Sequence, residues 1–216
     1  MEKSRPRVIL SAAMSIDGKI ATKTGDSELS SIQDKIRIHK LRSKVDAILI
    51  GSNTVKRDNP LLSARYVKGK NPIRIILDSK ATIDEKSQII RTCNKIPTII
   101  VISEKASKLN ISKLKKYPLE IMIVGKNQVN IKNLLKSLSR KKIQTILVEG
   151  GGTINWEFLR SGLVDEIIIT ITPYIIGGKN AITLVEGQGY SKIKNSAKLK
   201  LKKIFRLKNE IILYYN

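Results

Sequence analysis

Short, continuous runs of β-branched and other apolar residues are the feature that most limits what this chain can fold into. Each run has the length of a strand and lacks polar alternation, which is typical of strands buried on both faces of a parallel sheet. The runs are Arg7–Ala13, Ala47–Ile50, Ile73–Leu77, Thr98–Ile102, Glu120–Val124 and Thr145–Val148. Helical spacing returns between some of them, as in Ile32–Arg42 and Ile131–Arg140. This alternation predicts an α/β fold.

The last third of the chain has a different pattern. Val164–Thr170, Lys200–Phe205 and Ile211–Tyr215 are again rich in β-formers, and they form a β-rich tail after the last predicted helix. We therefore predict a single central, mostly parallel sheet with antiparallel C-terminal strands and helices on both faces. Because no repeat and no Pro-, Gly- or Ser-rich linker divides the chain, we expect one domain over residues 1–216.

The scarcity of cysteine and histidine excludes several classes of site. Cys93 and His39 are the only residues of their types, so a disulfide framework and a Cys/His zinc cage are both excluded, and no metal is expected. The apolar runs are far shorter than the ~20 residues that span a bilayer. We expect a soluble, cytoplasmic protein.

The charge of the chain raises the possibility of a nucleic-acid partner. There are 41 Lys and Arg against 18 Asp and Glu, a formal net charge of +23. The lysines are scattered, however, and aromatic residues make up only 4% of the chain, without the interleaving that base stacking requires. A solvated surface or an anionic small ligand is favoured over specific nucleic-acid binding. The many Ile and Lys residues are also typical of thermophiles.

Three segments that follow predicted strands carry the residues suited to chemistry. Glu149–Thr153 combines a carboxylate with three glycines at the predicted start of a helix, where backbone amides favour an anion. Ser15–Ile20 has the residues of a turn, and Gly51–Leu62 contains Thr54, a possible phosphate donor. Loops at the carboxyl ends of strands form the ligand crevice of α/β sheets. Taken singly, the glycine segment is equally compatible with a simple turn, and Ser15–Ile20 is better explained as one.

Six motifs in register resemble the pyrimidine reductases of riboflavin biosynthesis. They are Ser15-x-Asp17-Gly18, His39-Lys-Leu41-Arg42, Gly51-x-x-Thr54-Val-x-x-Asp58-Asn59-Pro60-x-Leu62, Pro72-x-Arg74-x-Ile-x-Asp78-Ser79, Val148-Glu149-Gly150-Gly151 and Pro173-x-x-x-Gly177-Gly178. The resemblance implies a dihydrofolate-reductase-like fold, NADPH as cofactor (with NADH possible) and a homodimer. It also implies the stand-alone archaeal or fungal form, which reduces 2,5-diamino-6-ribosylamino-4(3H)-pyrimidinone 5′-phosphate to the ribitylamino compound.

The resemblance also assigns site residues. On the cofactor side it places Ala13, Thr54, Asp58, Ser79, Gly150, Gly151, Gly152 and Thr153. On the substrate side it places Ser27, Arg42, Leu62, Arg65 and Glu149. Fused relatives tend to have Trp two positions after the equivalent of Ser27, whereas this chain has Leu29, which puts an aromatic contact to the cofactor in doubt.

The reaction implied by the resemblance is hydride transfer to C1′ of the ribose after the sugar opens to an imine. Glu149 is the first candidate to relay the proton and Asp58 the second, since acid–base work falls to carboxylates or water. Arg42 and Arg65 suit the substrate phosphate. Two alternatives stay open: a reductase of the same fold acting on a pterin or another imine, and a basic nucleic-acid-binding module without catalysis.

Overall fold

The computed structural model describes residues 5–216, and this part of the chain divides into two compact units. The first unit comprises residues 5–7 and His39–Leu147, and the second comprises Val8–Ile38 and Val148–Asn216. The prediction of one domain stays a prediction. In chain order the elements are β1 (Arg7–Met14), β2 (Lys19–Ala21), α1 (Ile32–Arg42), β3 (Ala47–Gly51), α2 (Ser52–Asp58), β4 (Ile73–Leu77), α3 (Gln88–Arg91), β5 (Thr98–Ile102), α4 (Lys108–Leu114), β6 (Glu120–Ile123), α5 (Ile131–Arg140), β7 (Thr145–Val148), α6 (Gly152–Arg160), β8 (Glu166–Ile171), β9 (Ile182–Thr183), a 3-10 turn (Ile193–Asn195), β10 (Leu201–Leu207) and β11 (Glu210–Tyr215).

The first unit is built on strands in the order β7-β3-β4-β5-β6. The pairs β3–β4, β4–β5 and β5–β6 are parallel, with Ile48 opposite Arg74 and Ile76 opposite Ile100. Ile48, Ile76 and Ile100 are fully buried and pack with Ile89 of α3 in one apolar core. Burying each such side chain contributes roughly 1.5–3 kcal/mol to the stability of the fold. A continuous apolar strand gains this free energy on both of its faces only where both faces are covered.

The second unit contains strands in the order β10-β11-β8-β1. β1 and β8 are parallel, whereas β11 is antiparallel to both β8 and β10. Leu10, Ile167 and Ile169 form its buried core. β2 and β9 pair separately as a two-stranded antiparallel ribbon. The predicted α/β class, with parallel strands and an antiparallel C-terminal pair, is confirmed.

The segment between Gly51 and Leu62 is not the loop that the sequence suggested. Ser52–Asp58 forms α2, which ends at Asn59 in the left-handed conformation (φ 40°). Val55 is its one buried residue, so the segment shows no amphipathic period to signal a helix. Among residues 5–216, no helix combines the length and the apolar character needed to cross a bilayer.

Candidate active site

The glycine segment lies at the start of α6 in the second unit. Gly150 has a positive φ of 87°, its peptide bond to Gly151 is cis, and Gly151 is the N-cap residue of the helix. A glycine N-cap has no side chain to occupy the amides of the first turn. These amides and the helix dipole make the start of α6 suitable for an anionic group.

Glycine is required at position 152 because another segment approaches it closely. A Cβ there would lie 2.6 Å from the carbonyl oxygen of Thr183 and 2.7 Å from Cγ of Glu186. The Glu186 N–H donates to the carbonyl of Gly152 at 3.1 Å, and Nδ2 of Asn155 donates to the carbonyl of Leu184 at 2.8 Å. Residues 183–186 therefore pack directly against Gly152 and fix the backbone of the glycine segment.

The Ser15–Ile20 motif acts as a clamp within the second unit. The Asp17 carboxylate accepts hydrogen bonds from Oγ of Ser15 at 2.6 Å, from the N–H of Gly177 at 2.7 Å and from the N–H of Ile176 at 3.0 Å. These bonds, that of Ser15 first, lower the pKa of Asp17 to about 2. The two motifs Ser15-x-Asp17-Gly18 and Pro173-x-x-x-Gly177-Gly178 are thus joined by a carboxylate that stays ionised.

Two further predicted residues of the second unit are Ala13, in a strand, and Ser27, in a loop. Ala13 is on β1 opposite Thr170 of β8 and is half-buried. Ser27 is exposed between β2 and α1, and its carbonyl accepts from the N–H of Leu29 at 2.8 Å. The side chain of Leu29 is buried, with 7% of its surface exposed. Leu29 therefore packs as core.

In the first unit, α2 carries two of the predicted cofactor residues. Thr54 is half-buried in its first turn, and Asp58 is its last residue. The side chain of Asp58 is 23% exposed, and its carboxylate accepts from Nε of Arg57 at 2.8 Å. Ser79 follows β4, and its Oγ accepts from the N–H of Val129 at 3.2 Å. Asp58 and Ser79 are therefore both held by neighbours of their own unit.

The two predicted phosphate ligands of the first unit belong to one cluster. Nη1 of Arg42 lies 3.3 Å from Nε2 of His39 and donates to the carbonyl of Ser63 at 3.2 Å. The guanidinium carbon of Arg65 lies 4.9 Å from the ring centroid of Tyr66, whose ring is 4.4 Å from that of His39. We call these five residues the arginine cluster. The sequence pointed to Arg42 and Arg65 but gave no sign that His39 and Tyr66 connect them.

Arg74 supports the chain just before Leu62. Its guanidinium is fully buried, and its hydrogen bonds end on carbonyl and hydroxyl oxygens: those of Leu61, Ile89, Thr92, Ile96 and Thr98. Burial lowers the pKa of Arg74 to about 10. Leu62 adopts a positive φ of 50° and its side chain packs in the core of the first unit. Through its hydrogen bond to the carbonyl of Leu61, Arg74 therefore fixes the backbone next to Leu62.

The predicted site residues divide between the two units. Arg42, Thr54, Asp58, Leu62, Arg65 and Ser79 are in the first, and Ala13, Ser27, Glu149 and Gly150–Thr153 are in the second. Glu149 is half-buried directly after β7 and before the glycines. Sequence reasoning missed Asn155, whose amide is 1% exposed and contacts the glycine segment. Nothing in its spacing could have marked it.

Comparison with known proteins identifies close relatives. The sequence model of the RibD C-terminal domain matches residues 6–213. The chain is 43% identical over 206 residues to a 2,5-diamino-6-ribosylamino-4(3H)-pyrimidinone 5′-phosphate reductase of Aquifex aeolicus, covering 93% of this chain and 92% of that protein. A protein of the same name from Methanothermobacter thermautotrophicus is 40% identical over 214 residues, covering 98% of both.

Solved structures agree on the fold. A diaminohydroxyphosphoribosylaminopyrimidine deaminase/5-amino-6-(5-phosphoribosylamino)uracil reductase from Thermotoga maritima is 28% identical with a TM-score of 0.80, covering 98% of this chain and 56% of that one. Dihydrofolate reductase from Enterococcus faecalis, complexed with NADP(H) and RAB-propyl, is 10% identical with a TM-score of 0.55, covering 97% and 95%. The second likeness shows the fold alone, and it confirms the predicted dihydrofolate-reductase-like fold.

Proposed function

Since this chain belongs to the RibD C-terminal domain family, we propose that it reduces the ribosylamino side chain of 2,5-diamino-6-ribosylamino-4(3H)-pyrimidinone 5′-phosphate to the ribitylamino form in riboflavin biosynthesis. The observation that carries the proposal is the identity of 40% and 43%, over nearly the whole length, to two proteins named for this activity. The pterin reductase and the nucleic-acid-binding module have no comparable observation in their favour.

A comparison of two substrates tests this proposal. Purified protein with NADPH is given either the diaminopyrimidinone phosphate or its deaminated counterpart, and consumption of the reduced cofactor is followed. We expect kcat/KM to be at least about tenfold higher for the diaminopyrimidinone, because pockets built to bond a polar group reject analogues that lack it. A preference for the deaminated compound would reassign the substrate. Turnover of a dihydropterin, with no turnover of either pyrimidine, would favour the alternative of a pterin reductase with the same fold.

We propose NADPH as the reductant, held by the glycine segment. A nicotinamide supplies hydride when bound, and the protein contributes position and electrostatics. The first-turn amides of α6 would bind the pyrophosphate, and the packing of Gly152 against residues 183–186 holds the backbone that carries these amides. Thr54, Asp58, Ser79 and Ala13 complete the proposed cofactor set by their match to the family's motifs. NADH remains a second candidate, because no residue described here distinguishes the two.

In the proposed reaction, hydride adds to C1′ of the ring-opened imine and a proton is delivered to the substrate. Glu149 is the proposed proton relay, since it stands directly before the glycines at the end of β7. Arg42 and Arg65 are the proposed ligands of the substrate phosphate. Ser27 and Leu62 belong to the same proposed substrate set by their match to the family's motifs. Holding both ligands in a near-attack geometry is the main work left to the protein.

Trp156 provides a test of the cofactor site. It is the only tryptophan, it lies one turn after Gly152 in α6, and its ring is 5.0 Å from that of Tyr190. We expect saturable quenching of its fluorescence by NADPH that persists at high salt. Gly152→Ala should weaken this binding by at least about tenfold, because the new methyl group displaces the backbone on which the pyrophosphate rests.

The matched control for that titration is Gly162→Ala, since a Cβ at Gly162 meets nothing within 4 Å and the residue follows the other end of α6. Its positive φ of 62° predicts a lower melting temperature with unchanged NADPH affinity. Quenching that disappears with salt, or never saturates, would instead indicate a basic surface collecting polyanions.

We also propose that the protein is a cytoplasmic homodimer. β10 is the edge strand of the second unit, and it exposes Leu201, Ile204 and Phe205 by 45–59% of their surfaces. Exposed apolar edge strands are typical sites of pairing between copies.

A further inference from the structure

His39 is the only histidine of the chain, and it is buried in the arginine cluster with 3% of its surface exposed. Arg42 Nη1 lies 3.3 Å from its Nε2. A guanidinium nitrogen can only donate, so Nε2 must be the acceptor and the ring proton must sit on Nδ1. The contact therefore specifies one tautomer of the imidazole.

Two further observations describe the state of this imidazole. Among the residues that the structure describes, no hydrogen-bond partner reaches the buried Nδ1, although an unsatisfied buried donor is costly. Burial, and then the charges of Arg42 and Arg65, lower the pKa of His39 to about 4. The imidazole thus stays neutral near pH 7, and its Nε2 remains an acceptor at every physiological pH.

The ring of His39 also reaches the second arginine of the cluster indirectly. It lies 4.4 Å from the ring of Tyr66, at an interplanar angle of 44°, and the guanidinium of Arg65 is placed over that same Tyr66 ring. Such a cation–π contact restricts where a guanidinium can point. His39 therefore touches Arg42 directly and Arg65 through Tyr66, and it is the residue that connects the two.

We propose that His39 is a positioning residue for the substrate phosphate, fixing Arg42 through Nε2 and Arg65 through Tyr66. This inference rests on the proposed function, in which the two arginines bind that phosphate. Prepositioned arginines lose less side-chain freedom on binding, so the effect of His39 falls on phosphate affinity rather than on the hydride step. The imidazole itself touches no reacting atom.

The test compares His39→Phe with His39→Gln. Phenylalanine keeps a ring against Tyr66 but has no acceptor, whereas glutamine places an amide oxygen near the position of Nε2. For His39→Phe we expect KM for the phosphorylated substrate to rise about tenfold, with kcat and KM for NADPH changed by less than about twofold. His39→Gln restores the acceptor for Arg42 but lacks the ring against Tyr66, so its KM should lie between those of wild type and His39→Phe. With the dephosphorylated substrate, wild type and His39→Phe should have the same KM.

A purely structural role would give a different pattern. It would lower kcat, the affinity for NADPH and the melting temperature together, and His39→Gln would not restore KM even in part; either result overturns the inference. Absence of turnover in the wild type would overturn the proposed function instead. In that case the affinity of wild type and His39→Phe for inorganic phosphate decides the inference, and equal affinities would refute it.

NMR of the single imidazole gives an independent readout that needs no activity. We expect a neutral ring protonated on Nδ1 and a titration midpoint of about 4, and Arg42→Lys should move that midpoint and mix the tautomers. A ring protonated on Nε2 at neutral pH would contradict the proposed contact with Arg42.

Discussion

Replacing Glu149 by glutamine is expected to lower the turnover number by about 100-fold or more, with KM for NADPH nearly unchanged. The substitution keeps the size of the side chain and removes its ability to exchange a proton, and positioned acid–base groups typically contribute 10²–10⁴-fold, as an order of magnitude. Steady-state kinetics at saturating cofactor, with the diaminopyrimidinone phosphate as substrate, measures the effect.

Asp58→Asn is the matched comparison. The Asp58 carboxylate already accepts from Nε of Arg57, so we expect a loss of less than about tenfold. The double variant should then resemble Glu149→Gln alone. Wild-type turnover in Glu149→Gln would show that Glu149 is not the proton relay. A larger loss of turnover in Asp58→Asn than in Glu149→Gln would assign that role to Asp58.

Arg74→Met is expected to produce the largest loss of stability. It removes the donors to the buried carbonyl of Ile89 and the half-buried carbonyl of Leu61, and an unpaired buried carbonyl costs about 1–3 kcal/mol. The carbonyl of Ile96 also loses its bond to Arg74 but keeps the one from Oγ1 of Thr98. Relief from burying a charge offsets part of this loss. A net change of about 3 kcal/mol would lower the melting temperature by roughly 6–12 °C for a chain of this length.

Arg74→Lys separates charge from geometry at the same position. A lysine retains the charge but offers a compact head in place of the planar fork that reaches five groups, so we expect it to recover little of the loss. Thermal unfolding of both variants and of wild type, at one pH and protein concentration, makes the comparison. A melting temperature for Arg74→Met within about 2 °C of wild type would contradict the role assigned to the buried guanidinium.

Much of the fold could be predicted because its signals are local. β4, β5 and β7 begin and end where the apolar runs do, since strands buried on both faces need continuous apolar residues. α5 has the predicted bounds because its apolar residues recur at helical spacing. α2 could not be predicted in this way. It buries only Val55, and its stability comes from its position after β3 rather than from an amphipathic face.

In the candidate site, too, the local features could be predicted and the non-local contacts could not. Its motifs are short and local, so Glu149, the glycines and Arg42 could be identified from the order of residues. The contacts that hold them are not local: Arg42 meets the carbonyl of a residue 21 positions later, and Arg74 reaches one 13 positions earlier. Spacing within a helix relates His39 to Arg42, but only the folded chain brings Tyr66 against the imidazole ring.

The most direct test of the central claim follows the hydride itself. The protein is incubated with NADPH deuterated at the transferring position of the nicotinamide C4, together with 2,5-diamino-6-ribosylamino-4(3H)-pyrimidinone 5′-phosphate, and the product is examined by mass spectrometry and NMR. We predict a ribitylamino product with one deuterium at C1′, formed in proportion to the cofactor consumed. Cofactor consumption without deuterium at C1′, or no product at all, would contradict the assignment as a reductase of this substrate.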